Sequence, residues 1–411
     1  MLQKTRILSV IDGLGFAGDE SRLLSFSRTL DRDRFAHSVL TLNPAAYTSA
    51  KEFYARRDQY LKAGVEVNDL SEVSPEPWPC PPGVPRKLYQ KTGILRRSLR
   101  LAGVVRGWNV QVLDGHLLSA GLISVLAGRI TGTASSITLY GGSGIGNRVI
   151  EPLSMRVALR LATGVLTDSR VRADEMKALI PKQASKVAVI PNGVPGLHSK
   201  RTSSEMRHFL GLPENPAIRI VGMVARFQKY KGHDVFLAAA HKVLERQPNT
   251  AFLAVGFTPS EPYRDSLKQL AERLGIAERV VLAEYPGDIA DVWNVIDIHA
   301  HTSLFDSLPI SIAEGMSLAK PAVVTSAGGI PEIVQHNKTG LVVPPGDPNA
   351  FADALLELLS KPELGRALGE NARHRYEELY QPETMARAME NYFLQITMRV
   401  NEFRDRSDRR G

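Results

Sequence analysis

Residues 304–347 run LFDSLPISIAEGMSLAKPAVVTSAGGIPEIVQHNKTGLVVPPGD. Asp306 is followed eight positions later by a second acid, Glu314. Pro309 suits the first turn of a helix that Asp306 or Ser307 would cap, which places Glu314 two turns in. Ala322–Thr325 is a short apolar strand, and Gly328-Gly329 then forms a turn opening onto Ile330-Pro331-Glu332. Amide groups at such a helix start can bind phosphate oxygens, although most GG pairs are only turns. Strand, turn and helix in this order belong to an α/β sheet of parallel strands.

The same rhythm extends outward in both directions. Upstream, strand-like runs at Ile218–Val224, Thr250–Val255, Val280–Leu282 and Val295–His299 alternate with helical patterns, and Leu341–Val343 follows downstream. A separate series begins at Arg6–Ile11 and continues through Phe35–Leu42, Gln111–Leu113, Ser135–Leu139, Gly164–Thr167 and Val187–Ile190. The polar stretch Val194–Pro216 separates the two series. Two Rossmann-like domains are therefore expected, 1–195 and 196–385, with ligands outside the carboxyl ends of the strands in a cleft between them. Residues 386–411 form a C-terminal helix, expected to cross back to the first domain, with a frayed basic tail.

A chain of 411 residues is long enough for two cores. Lys and Arg number 51 against 43 Asp and Glu, and the net charge of +8 favours anionic partners such as phosphates or acidic lipid. The single cysteine, Cys80, excludes a disulfide framework and a cysteine zinc site. The N-terminal apolar run is too short for a signal peptide, and no run approaches the ~20 residues of a membrane helix. A cytoplasmic protein is expected, peripheral at most. Arg86–Arg106 carries seven basic residues and no acid among interleaved aliphatics. Either a membrane-surface helix or a packed helix with a basic outer face would have that pattern. No nucleic-acid motif accompanies the charge.

Arg226 and Lys231, five apart, follow the first strand of the second series. Fixed cations there can neutralise a departing diphosphate, and a solvated pair at a helix start is the plain alternative. Asp306 and Glu314 could accept hydrogen bonds from sugar and ribose hydroxyls, or serve as a capping acid and a surface glutamate. His116, at the carboxyl end of a strand, could hydrogen-bond a hydroxyl or sit in a polar loop. Gly15 and Gly18 follow the first strand but lack the dinucleotide fingerprint, so NAD is not implied. No histidine–carboxylate cluster suggests a metal.

Together these residues resemble glycosyltransferase family 4, the retaining nucleotide-sugar transferases of GT-B fold. The resemblance covers most of the chain and is strongest over Val221–Asp347. Arg226 and Lys231 match the family's Arg-x4-Lys pair for the donor diphosphate. Asp306 and Glu314 fall on its Glu-x7-Glu pair, for sugar and ribose. Gly328-Gly329 resembles its phosphate turn, and His116 a histidine found near the reacting sugar. Three departures stand out. Asp306 is one methylene shorter than the usual glutamate. Leu139-Tyr140-Gly141 stands where many members have His-Gly. Gly15-Phe16-Ala17-Gly18 replaces adjacent glycines.

The resemblance implies metal-independent transfer of a sugar from a nucleoside diphosphate donor, UDP by preference, to an acceptor hydroxyl of a sugar, lipid-linked or small molecule. A cell-surface polysaccharide, lipopolysaccharide or glycolipid pathway would fit. Base recognition is expected near Glu284-Tyr285-Pro286, with Tyr285 against the nucleotide. Two alternatives stay open: a sugar-nucleotide epimerase or phosphorylase of the same fold, and a non-catalytic nucleotide-sugar binder at a membrane surface.

Overall fold

The computed structural model describes residues 4–14, 18–43, 50–74, 93–140, 151–258, 261–285 and 287–408. Two compact units emerge, one of Met1–Gly193 with Pro382–Gly411, the other Val194–Gln381. Both are α/β.

The first unit holds a sheet of β1 (Thr5–Ile11), β2 (Phe35–Thr41), β3 (Glu66–Asp69), β4 (Val112–His116), β5 (Ala134–Leu139), β6 (Gly164–Thr167) and β7 (Val187–Val189). Their order is β3-β2-β1-β4-β5-β6-β7, and every pairing is parallel. Strand β3 was not foreseen: EVND has no apolar run to announce it. The strand expected at Gln111–Leu113 runs on to His116, so that histidine ends β4 rather than following it. Parallel strands are covered on both faces, which is why β4 and β5 are buried throughout even where they carry Asp114, His116 and three hydroxyl residues.

The C-terminal helix Pro382–Asp408 belongs to this unit. Met385, Met389, Phe393 and Ile396 pack with Ile7, Phe26, Phe35, Val112 and Leu166. Tyr392 Oη lies 2.9 Å from Ser136 Oγ, and the approach is so close that a Cβ on Gly164 would stand 2.3 Å from that phenol. The helix extends to Asp408, where a frayed basic tail was expected.

The second unit's sheet comprises β8 (Arg219–Val224), β9 (Thr250–Val255), β10 (Val280–Ala283), β11 (Ile298–His301), β12 (Ala322–Thr325) and β13 (Leu341–Val343), in the order β10-β9-β8-β11-β12-β13. Strand β11 lies later than the expected Val295–His299, because Asp288 caps a short helix, Ile289–Trp293, just before it. Helix starts follow local chemistry. Thr202 and Glu205 form a capping box, and Asp347 caps a helix with Pro348 at its first turn.

Candidate active site

Strands β8, β11 and β12 are neighbours, so their carboxyl ends release three loops side by side. After β8 the chain makes a one-turn 3-10 helix, Lys229–Lys231, ended by Gly232 at φ +72°. A Cβ there would sit 2.2 Å from the carbonyl oxygen of Thr302, so only glycine lets the two loops touch. Thr302 Oγ1 donates to the carbonyls of Lys231 (3.1 Å) and Gly232 (2.9 Å), and Leu304 N–H to Tyr230 (2.7 Å). Lys231 is thus clamped to the end of β11.

Asp306 lies in the β11 loop, and its Oδ2 receives three donors. Lys231 Nζ is at 2.5 Å, Ser303 Oγ at 3.1 Å and His301 Nε2 at 3.2 Å. Burial alone would raise this carboxyl, but the Lys231 ammonium and His301 hold it well below the usual carboxylate range. Asp306 therefore does not cap the next helix. That helix, Ile310–Ser317, starts after Pro309 with no side-chain cap, which leaves Glu314 one turn in rather than two. Lys231 is likewise no free cation, since it is paired with Asp306. Arg226 is exposed, with Nη2 3.4 Å from Tyr230 Oη.

The strand beneath is unusual. His299 and His301 are both fully buried, and burial pushes both imidazoles below their ordinary value, opposed at His301 by Asp306. His233 is pushed down to about 3, by burial first and then by Lys231. These histidines are neutral at pH 7, so His301 donates Nε2–H to Asp306 as a dipole, not as a cation.

Glu314 is half-buried, with Oε2 accepting from Trp293 Nε1 at 3.0 Å. Burial pushes its carboxyl up to about 7, and the Trp293 hydrogen bond opposes this. Trp293 packs edge-on against His299, centroids 4.8 Å apart, and His299 against His301 at 5.9 Å. One buried row of rings thus runs from Glu314 to Asp306.

The GG turn braces the site from the β12 side. Gly328 has φ +54°, and a Cβ on it would meet the Asp306 carbonyl oxygen at 1.9 Å. Gly329 N–H donates to that same carbonyl at 3.0 Å, and Ile330 N–H to Ala327. The expected pair of free glycine amides is therefore corrected: Gly329 is already bonded, and only the amides of Ala327 and Gly328 lack an acceptor among the described residues.

Other expected positions fall elsewhere. Tyr285 Oη donates to Asp291 Oδ2 at 3.0 Å, and its ring packs edge-on against Phe209. Burial, then Asp291, raises this phenol. Glu284 accepts from Thr258 N–H at 2.6 Å. Gly18 opens the helix Gly18–Thr29, whereas Gly15 and Pro286 lie outside the described residues.

In the first unit, His116 is wholly buried. Nε2 stands 3.1 Å from Asp114 Oδ2, and Nδ1 2.7 Å from Tyr140 Oη. Thr138 Oγ1 donates to Asp114 Oδ1 at 2.5 Å. Burial would raise Asp114, but the charge and hydrogen bond of His116, with Thr138 and Arg22, bring it below its usual value. Arg22 lies over the Tyr140 ring at 5.3 Å and donates to Ile190 O and Asn192 Oδ1, both at 2.8 Å. His116, expected near a sugar, is 0% exposed and lies between Asp114 and Tyr140.

Sequence reasoning missed His301, Ser303, Trp293, Asp114, Tyr140's role and Arg22. The alternation His299-x-His301 was the available signal, since a period of two puts both on one strand face. Ending the strand at His299 hid it. No group of three or more His, Cys, Asp or Glu that could hold a metal occurs among the described residues.

Residues 204–375 match the family model described as Glycosyl transferases group 1, and the span includes Arg226, Lys231, Asp306 and Glu314. A D-inositol 3-phosphate glycosyltransferase of Corynebacterium jeikeium is 33% identical over 200 residues, covering 45% of this chain and 46% of that protein. An N-acetyl-alpha-D-glucosaminyl L-malate synthase of Bacillus anthracis is 28% identical over 201 residues, 49% and 51% of the two chains. The chain thus spans about half the length of the curated relatives it matches. Among solved structures, Anabaena Alr3699/HepE in complex with UDP aligns over 95% of this chain and 100% of its own, with TM-score 0.78 and 20% identity. A glycosyltransferase of Rickettsia africae ESF-5 aligns over 96% and 98%, with TM-score 0.77 and 19% identity. At such identity these two establish the fold.

Proposed function

We propose that this chain, a member of the glycosyl transferases group 1 family through its second unit, moves a sugar from a nucleoside diphosphate donor to an acceptor hydroxyl with retention. The observation that carries the reading is the Lys231–Asp306 pair, set with Arg226, Glu314 and the Gly328 turn at the carboxyl ends of three adjacent strands.

Each group has a task suited to its surroundings. Arg226, exposed, meets the donor diphosphate. Lys231 shares its three donors between Asp306 and a phosphate oxygen, which holds both in register. Asp306 Oδ1 takes no hydrogen bond among the described residues and accepts from a sugar hydroxyl. Three donors on Oδ2 fix its direction, which offsets the missing methylene. Glu314 accepts from the ribose. As the sugar–phosphate bond breaks, negative charge grows on the diphosphate, and the preorganised cations and the Gly328 amide stabilise it.

UDP is the preferred nucleotide, supported by the UDP bound to the Anabaena neighbour. The relatives' names, with inositol phosphate and malate as acceptors, support a small hydroxylated acceptor on the first unit. Contact with an anionic membrane face is placed on helix Gly93–Gly107, where Ile94, Leu95 and Leu99 are exposed beside Arg96 and Arg106. The part of that basic segment before Gly93 lies outside the described residues.

Calorimetry with UDP, GDP, ADP and NAD tests the core of the reading. One nucleoside diphosphate should bind wild type and bind Arg226→Ala at least tenfold more weakly. Failure of all four to bind would refute the donor site. Sedimentation with acidic vesicles tests the membrane contact, and no salt-sensitive binding would remove it.

A further inference from the structure

The phenol of Tyr230 lies within reach of both cations of the candidate donor site, and neither can use its hydrogen. Tyr230 belongs to the one-turn helix Lys229–Lys231, and its backbone carbonyl accepts from Leu304 N–H at 2.7 Å. The backbone on its far side is held too, because Thr302 Oγ1 donates to the carbonyls of Lys231 and Gly232. The side chain thus stands on a fixed base, and it is 38% exposed, which leaves it open to a ligand. Arg226 Nη2 lies 3.4 Å from Tyr230 Oη. Lys231 Nζ lies 5.2 Å from the centre of the ring, within the range of a cation–π contact, while it also pairs with Asp306.

The direction of the hydrogen bond follows by elimination. A guanidinium carries only N–H donors and no acceptor, so in the Arg226 contact the phenol oxygen accepts. An ammonium likewise has no acceptor, so Lys231 cannot take the phenol hydrogen either. The Tyr230 side chain makes no further hydrogen bond among the described residues. Its O–H hydrogen is therefore unspent, beside two positive charges. A hydroxyl donor in that setting suits an anionic oxygen, which accepts charge-assisted hydrogen bonds and gives none.

We infer that Tyr230 binds the donor through its diphosphate, its O–H donating to a phosphate oxygen that Arg226 also contacts. This rests on the transferase reading and deepens it. Tyrosine and arginine then grip the anion as a fork, and the phenol supplies a donor where the Gly329 amide, spent on Asp306, does not. The contact is selective for phosphate, since a nucleoside without one gains nothing from it.

Calorimetry on the full chain with UDP and with inorganic pyrophosphate tests this, alongside saturation-transfer NMR with uridine. Tyr230→Phe keeps the ring beside Lys231 and removes only the hydroxyl. It should weaken UDP and pyrophosphate about tenfold, the scale of one hydrogen bond to a charged group, and leave uridine binding unchanged. Equal diphosphate affinity in wild type and Tyr230→Phe would overturn the inference. An equal loss for UDP and uridine would overturn it as well, because a purely structural change has that effect. Tyr230→Leu also strips the ring from Lys231 and should bind pyrophosphate no better than Tyr230→Phe does; tighter binding would count against the inference. Should wild type bind only one of the two diphosphates, that one decides. An unchanged Tyr230→Phe beside a weakened Arg226→Ala would sink this inference and leave the donor site standing, whereas binding of neither diphosphate by wild type would refute both.

Discussion

The two units place polar networks at the same end of similar sheets, but the networks are finished differently. In the first, Thr138 donates to Asp114, His116 lies buried between Asp114 and Tyr140, and only a sliver of Tyr140 meets the surface. In the second, Lys231, His301 and Ser303 crowd one oxygen of Asp306, leaving Oδ1 and the Arg226 guanidinium with capacity to spare. A closed network spends its donors on orientation. An open one keeps some for a ligand, and buried polar groups tolerate this only where water or substrate can supply the missing bonds.

The contrast breaks most sharply at Lys231. Lys231→Ala removes the ammonium that both holds Asp306 and meets the diphosphate, so turnover should fall on the order of 10²-fold or more. Asp306, nearly buried, also loses the charge that keeps it ionised, so the melting temperature should drop. Initial rates and a melting curve on one preparation check both, and turnover within threefold of wild type would show that the open network is not the reacting site.

Gly328→Ala tests the brace rather than the charge. The new methyl would press on the Asp306 carbonyl in a backbone conformation that alanine resists, at a cost of about 1–3 kcal/mol. UDP affinity and stability should fall together. A variant that melts later than wild type would mean the turn is not strained.

Glu314 sharpens the contrast through pH. Its pKa is raised from 4.5 to about 7, so the folded chain keeps a proton that the unfolded chain has lost. The stability this gives is full below the unfolded value and is lost as pH rises through about 7. Glu314→Gln should flatten that slope in denaturant titrations. Ribose hydroxyls favour the carboxylate, so UDP should expel the proton and bind more weakly in acid. Calorimetry in two buffers of different ionisation enthalpy would reveal the released proton, and its absence would remove Glu314 from the ribose.

Tyr285→Phe is expected to be the mildest. It deletes one hydrogen bond to Asp291, which retains Lys200, Arg201 and Ser199 as donors. A loss of about 1 kcal/mol or less in stability is expected. A tenfold loss of UDP affinity would instead place the phenol on the nucleotide.

Most strands were legible because parallel strands buried on both faces write continuous apolar runs, as TAFLAV does in β9. EVND in β3 writes none, and neither does the His299–His301 end of β11, where pairing with β12 rather than composition decides the strand. Among site residues, Arg226, Lys231, Asp306 and Glu314 could be picked out because charge at a strand end is conspicuous and the spacing is specific. What each charge touches was not legible. Lys231 and Asp306 are 75 positions apart, and nothing local says they pair.

The sequence by itself determined two parallel α/β series, the loops that bear charge, and a resemblance to nucleotide-sugar transferases. These depend on periodicity and spacing, which are written along the chain. Tertiary structure alone decided that Lys231 neutralises Asp306, that Gly329 is spent on a brace, and that His116 is sealed between Asp114 and Tyr140. Those outcomes depend on which strand ends lie side by side and how deeply each group is buried. Charge and hydrogen-bond capacity take their meaning from neighbours in space, and no stretch of sequence contains those neighbours.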